Sequence, residues 1–246
     1  MLLTIIFIGL LTGTLIGTVG VGGILLAPLL VTLLGTELHI AQATSSFSFL
    51  FTGIVGVIAY TRRRSIDWHH VLWISIGIIP AALLGAKVNT VLSTPVLILI
   101  LAALIIFSGL NALLKRRKTT STTRTPNKSI LILIGAAVGF GSALTGTGGP
   151  VLLLPILLYL GFLPLAAVGI SQAIQLPIAI FATTGFWLFG QINYQLGIIL
   201  GIVQAVGVVI GAAIAHALPQ RKLRRVVAIA LVGVGVLMLG RVLIGV

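Results

Sequence analysis

The segment Gly17-Thr-Val-Gly-Val-Gly-Gly23 returns as Ala143-Leu-Thr-Gly-Thr-Gly-Gly149, each copy set inside apolar sequence. Adding 126 to a first-half number gives its counterpart: Gly9 and Gly135, Gly13 and Gly139, Gly20 and Gly146, Gly22 and Gly148, Gly23 and Gly149, Ser45 and Ser171, Ile66 and Ile192, Gly85 and Gly211, Leu92 and Leu218. One ungapped register from Gly9 to Leu92 describes a chain of two related halves. The chain is 59% hydrophobic and 7% charged, whereas soluble domains carry roughly a quarter charged residues. Both halves therefore belong in a bilayer. Repeats with glycine-interrupted apolar segments at matching positions point to a transporter, and to where its substrate binds.

The net charge of +13 does not indicate nucleic acid, which needs basic side chains gathered on one solvated face. The positive residues instead fall in Arg62-Arg63-Arg64, Lys115-Arg116-Arg117-Lys118 and Arg221-Lys222-Leu223-Arg224-Arg225, between apolar stretches. Short basic loops of this kind mark the cytoplasmic side. The chain has no cysteine, so disulfides and thiolate sites are excluded. His39, His69, His70 and His216 fall at the ends of predicted spans rather than in a ligand cluster, so neither metal nor cofactor is expected. Of the two acidic residues, Glu37 reads as a loop residue and Asp67 as neutralising the neighbouring arginines. Lys87 and Arg241 read as snorkelling from span ends. The first residues lack a basic n-region and read as a retained membrane segment. No Walker loop is present, which argues against ATP-driven pumping by this chain alone.

About twenty apolar residues cross a hydrocarbon core. Segments 41–61, 68–89, 94–114, 165–189, 194–215 and 224–245 satisfy that length, while 2–17, 23–35, 129–143 and 150–161 are shorter and flank the glycine turns. The basic loops decide the relation of the halves. Arg62 to Arg64 corresponds to uncharged Leu188-Phe189-Gly190, and Arg221 to Arg225 to uncharged Pro95 to Leu99, so equivalent loops face opposite sides. Placing every basic loop in the cytoplasm requires an odd number of crossings per half, with both chain ends outside. Either five crossings, or three crossings and a re-entrant hairpin, satisfies this, and the hairpin suits the short segments better. Two such hairpins entering from opposite sides would bring both glycine tips to mid-membrane, where irregular backbone is tolerated only against protein or a watery cavity. The expected fold is thus all-α and polytopic, with two inverted-topology repeats, each a glycine-loop pair of short helices plus three full spans. Residues 1–118 form repeat 1, 119–128 a polar cytoplasmic linker, and 129–246 repeat 2.

The glycine turns are the first candidate site. Gly20, Gly22, Gly23 and their counterparts Gly146, Gly148, Gly149 let backbone N–H groups face a ligand directly, ahead of helices that offer a positive dipole end. A small anion fits such a site, with Thr18, Thr145 and Thr147 beside it. The Gly9/Gly13/Gly17 and Gly135/Gly139 series reads instead as close helix packing. A second polar cluster lies in each half: Gln42, Thr44, Ser45, Ser46 and Ser48, then Ser171, Gln172 and Gln175. Polar residues within one turn of an apolar helix face protein or a cavity, and hydroxyls and amides can donate to an oxyanion.

The order of Gly-x-Gly-Gly, a proline a few residues later (Pro28, Pro155), Ala-x-x-x-Ser (Ala41 to Ser45, Ala167 to Ser171) and a Gly-x-Ile-Asp/Asn-aromatic element resembles the TauE/SafE sulfite exporter family. The last element is matched in part: Gly190 precedes Ile192, whereas the first half has Arg64 there. The resemblance covers nearly the whole chain. It implies export of sulfite or a related sulfur-containing or organosulfonate anion across the cell membrane; of the alternatives, an intramembrane enzyme is opposed by the lack of cysteine, buried histidine and mid-span carboxylate, and a membrane scaffold by the lack of extensive soluble surface.

Overall fold

The computed structural model describes residues 2–91, 126–219 and part of the chain between 221 and 240. The predicted span 94–114, most of 224–245, and linker residues 119–125 lie outside the described residues. Eight helices are described in full: α1 Leu2–Val19, α2 Gly23–Leu34, α3 Leu38–Arg62, α4 Trp68–Asn89, α5 Lys128–Thr145, α6 Pro150–Tyr159, α7 Pro164–Phe189 and α8 Tyr194–Ala217. The first four and last four recur in order, and Leu2, Leu38 and Trp68 start helices 126 residues before Lys128, Pro164 and Tyr194 start theirs.

Six helices are long and apolar enough to cross a membrane: α1, α3, α4, α5, α7 and α8. For 2–17 and 129–143 this lengthens the expected segments. Both helices run to 18 residues, about 27 Å at 1.5 Å per residue. The sequence suggested a stop at Gly17, but α1 continues through Gly17 to Val19. There α8 lies so close that a Cβ on Gly17 would run into the Val208 backbone; tertiary packing overrides the weak helix propensity of glycine. By contrast α2 and α6, with 12 and 10 residues, reach only about 18 and 15 Å.

The halves interlock. Gly9, Gly13 and Gly17 of α1 pack against Val203, Gln204 and Val208 of α8, while Gly207 and Gly211 of α8 pack back on α1. The equivalent pair crosses the same way, with Gly135 and Gly139 of α5 against Ile74 and Ile78, and Gly77 and Gly85 of α4 against α5 backbone. Small residues let these backbones approach within van der Waals reach, the packing mode for helices that gain nothing from hiding apolar surface from water. In both pairs the residue numbers rise together, so the helices are parallel. At the centre α3 and α7 cross antiparallel: Gly53 meets Leu176 and Gly56 meets Gln172. Thr44 Oγ1, near the start of α3, accepts from Asn193 N at 3.1 Å, just past the end of α7. Helices at equivalent places in the two halves therefore run in opposite directions.

One end of the bundle is basic. Arg62 to Arg64, Lys128 and His216 gather there, with Ser65 Oγ 2.8 Å from His216 Nε2 and Lys128 Nζ 4.7 Å from the Trp73 ring centre. Asp67 does more than offset charge: its Oδ1 caps α4, accepting from His69 N at 3.1 Å and His70 N at 3.4 Å. Its counterpart Asn193 caps α8 by accepting from Leu196 N at 3.1 Å. A helix N-terminus leaves its first N–H groups without partners, and Asp and Asn are among the best residues to accept from them. Glu37 stands at the N-cap of α3 without a side-chain cap bond.

Candidate functional site: two glycine turns at the centre of the bundle

α1 begins at the end of the bundle where α8 begins, because the two are parallel. α2 leads through Gly35 to Glu37 into the start of α3, at that same end, where His39 Nδ1 lies 3.3 Å from Asn89 Oδ1. α1 and α2 thus form a hairpin that enters and returns at one end. α5 and α6 form the equivalent hairpin from the basic end, where Phe162 beyond α6 stacks edge-on with His70, the ring centres 5.0 Å apart.

The tips meet halfway. A Cβ on Gly23 would lie 3.1 Å from the Phe49 ring and against the Thr147 carbonyl oxygen, and one on Gly148 would lie 2.8 Å from the same ring. Phe49 is the twelfth of the 25 residues of α3. On the other side Gly149 faces Ile174 and Ile178, mid-way along α7, and Gly20 faces Pro150. All six glycines, with Val21 and Thr147, are buried. Gly148 and Gly149 have φ of +81° and +92°, which side chains resist.

Among the described residues, no acceptor is paired with the backbone N–H of Val21, Gly22, Gly148 or Gly149. Buried N–H groups are nearly always paired, so four at one meeting point form a cluster of unused donors.

The hydroxyls divide. Thr18 Oγ1 donates to Thr14 O at 2.7 Å, Ser45 Oγ to Ala41 O at 2.7 Å, and Ser46 Oγ to Gln42 O at 3.0 Å; each is turned back on its own helix. Thr145 Oγ1 donates to Gly141 O at 2.7 Å and is 3.0 Å from Thr147 Oγ1, which ties the second turn together. In α7, Ser171 Oγ is buried without a partner. Gln172 Nε2 donates to Ile16 O at 2.6 Å and Gln175 Nε2 to Thr52 Oγ1 at 2.8 Å, yet the Oε1 of each has no partner. Gln172 Oε1 packs against Gly56 of α3, and Gln175 meets α3 at Thr52, which donates to the carbonyl of Phe49. Gln42 has a structural part: its Oε1 accepts from Asn89 Nδ2 at 2.7 Å, and Asn89 also donates to Leu144 O, joining α3, α4 and α5.

Sequence reasoning missed Phe49, the wedge between the turns, and Ser142, whose buried Oγ is unpartnered while its carbonyl accepts from Thr147 N at 3.2 Å. The repeat register held a clue, because Phe49 occupies the place that Gln175 holds in the second half. A cavity of about 270 Å³ lies elsewhere, at the basic end between α3 and α8, lined by Val55, Ile58, Arg62, Arg63, Val209 and Ala212. Its wall is apolar and it touches neither turn.

The profile of the family described as sulfite exporter TauE/SafE matches residues 5–238. The chain belongs to this family. YjnA of Bacillus subtilis (strain 168), described as a probable membrane transporter protein, is 27% identical over 258 residues, spanning 93% of this chain and 96% of its own length. YunE of the same organism, described likewise, is 26% identical over 94% of both chains. The probable membrane transporter protein y4hK of Sinorhizobium fredii is 31% identical over 45% of each chain. No solved structure matches. This TauE/SafE member is a multi-pass membrane transporter, and its substrate crosses a lipid bilayer.

Proposed function

We propose that this protein exports a small anion, sulfite or a related sulfur-containing or organosulfonate anion, through the meeting point of the two glycine turns. The observation that carries the reading is the cluster of unpaired N–H groups at Val21, Gly22, Gly148 and Gly149, halfway along α3 and α7. Backbone donors ahead of two helix N-termini attract negative charge while placing no full charge in the membrane when empty. Ser171, Gln172, Gln175, Thr145 and Thr147 complete the site, and Thr18, Ser45 and Ser46 support it from behind. Residues 1–118 and 129–246 act as inverted halves, with Arg62 to Arg64, linker 119–128 and residues 216–225 in the cytoplasm, as the positive-inside rule requires. The anion crosses unchanged, because hydroxyls, amides and peptide N–H groups bind an oxyanion without supplying the base that activates a nucleophile.

The two acidic residues, Glu37 at the start of α3 and Asp67 at the start of α4, lie at opposite ends of the bundle, away from the turns, so the driving force is the membrane potential and the substrate gradient. Moving one negative charge out of a negative interior gains about 2.3 kcal/mol per 100 mV. The test is efflux of sulfur oxyanions and organosulfonates from proteoliposomes, at equal pH on both sides, under an imposed potassium-diffusion potential. Efflux should rise with a negative interior and fall when the potential is reversed. Absence of flux for the whole panel would overturn the anion reading, and flux that needs a pH gradient but ignores potential would overturn the driving force.

A further inference from the structure

The cavity at the basic end has no equivalent in the other half of the repeat. α3 and α8 run side by side in the same direction: Gly197 packs on Phe47, Gly201 on Phe51, and nearer the basic end the Tyr60 and His216 rings stack with centres 4.7 Å apart. Outside that stack lies the cavity of about 270 Å³, walled by Val55, Ile58 and Ala59 of α3 and by Val209, Ala212 and Ala213 of α8. Ile58 and Val209 are 46% and 54% exposed, so the groove opens on the outer face of the bundle, where lipid lies. In the other half the equivalent contact is closed. Gly185, the counterpart of Ala59, brings α7 so near α4 that an added Cβ would lie 2.5 Å from the Ala86 Cβ and 3.5 Å from Leu83 O; Ala86 and Leu83 are the counterparts of Ala212 and Val209. Ala59 carries the methyl group that such an approach excludes.

The charges differ in the same way. Lys87 Nζ sits 5.6 Å from the centre of the Phe189 ring, a cation matched within the chain. The counterparts of this pair are Ala213 and Arg63. Arg62, the last residue of α3, and Arg63, its C-cap, line the groove where it reaches the basic end. Among the described residues neither guanidinium has a carboxylate or hydrogen-bond partner. The chain has only two acidic side chains; Asp67 lies 2.8 Å from His70 Nδ1 and Glu37 stands at the opposite end. We propose that this groove holds an acyl chain of an anionic phospholipid, whose headgroup phosphate accepts from Arg62 and Arg63. A soluble anion would leave the apolar wall uncovered, and a zwitterionic lipid would bring its ammonium toward the arginines. The guanidinium fork suits a phosphate. Depth agrees as well: the rise from Val55 to Arg62 is about 10 Å along α3, which keeps the headgroup at the surface and the chain in hydrocarbon. The cavity touches neither glycine turn, so this inference stands apart from the anion-export reading.

The test uses the purified full-length protein, stripped of lipid in detergent and titrated with dioleoylphosphatidylglycerol or dioleoylphosphatidylcholine, with bound lipid counted by native mass spectrometry. The anionic lipid should bind at least about tenfold more tightly, since each arginine beside a headgroup contributes about fivefold, and added salt should shrink the preference. Arg62→Gln with Arg63→Gln should bring the two lipids within about twofold, a ratio insensitive to the amount of folded protein. Ala213→Leu fills the groove without altering charge and should weaken phosphatidylglycerol binding while the arginines remain. Equal binding of the two lipids, or a preference that survives both variants, would overturn the inference. Displacement of the lipid by inorganic phosphate at constant ionic strength would also overturn it, assigning the arginines to a free anion. A dimer that Ala213→Leu breaks, with no selectivity between the lipids, would overturn it in favour of a second copy of the chain on this face.

Discussion

The two glycine turns occupy equivalent places in the repeat but are built differently. In the first, Gly20 alone has a positive φ, +74°, and Gly22 is right-handed at −62°; Gly22 is needed because a Cβ would strike the Thr12 carbonyl oxygen. In the second, Gly146, Gly148 and Gly149 all have positive φ. The helices behind them differ too. Ser45 and Ser46 of α3 are satisfied by their own helix, whereas their counterparts Ser171 and Gln172 in α7 keep unpaired atoms. The repeat thus keeps a glycine turn at the same place in each half, while its φ angles and the side-chain chemistry behind it differ. The first half supplies the wedge, Phe49, and the second supplies the polar groups.

The harshest way to break this comparison is to add bulk at a turn. Gly149→Val should abolish flux while the protein still inserts, because its φ of +92° and the Ile178 side chain both oppose a branched residue. Gly35→Ala is its control: φ is +66° and nothing lies within 4 Å. It should cost about 1 kcal/mol of stability and leave flux intact. Reconstituted transport beside thermal unfolding of both variants reads the difference, and normal flux in Gly149→Val would reassign that turn to packing.

A smaller effect separates the equivalent serines. Ser171→Ala removes an unpartnered buried hydroxyl and should raise the unfolding temperature, by the equivalent of about 1 kcal/mol, while weakening substrate binding. Ser45→Ala removes a hydroxyl bonded within its own turn and should change binding by less than about twofold. Titration and melting of the two proteins side by side check this, and identical behaviour would mean the halves share the binding equally.

The smallest effect concerns the caps. Asp67→Ala and Asn193→Ala should each cost about 1 kcal/mol with flux retained. The Asp67 change should cost somewhat more, since its Oδ2 also lies 2.8 Å from His70 Nδ1. Thermal unfolding in detergent measures both, and loss of flux in either would give these positions a part in transport beyond capping.

Much of the architecture was legible in the chain itself. The 126-residue register anticipated which helices recur, and the i, i+4 glycines marked a packing face before any partner was known. Charge exchanged between equivalent loops anticipated opposite directions for the halves, because basic residues resist translocation wherever they occur. These properties are local: apolar length, glycine spacing and loop charge act through the backbone and the bilayer without reference to distant residues. The tertiary structure decided the rest. It paired the first helix of each half with the fourth of the other, carried α1 past Gly17, set Phe49 between the turns and turned the Gln172 amide onto Ile16 O. No pattern in one helix reports which atom of another, 156 residues away, will take its amide nitrogen, and that choice determines which oxygen is left unpaired.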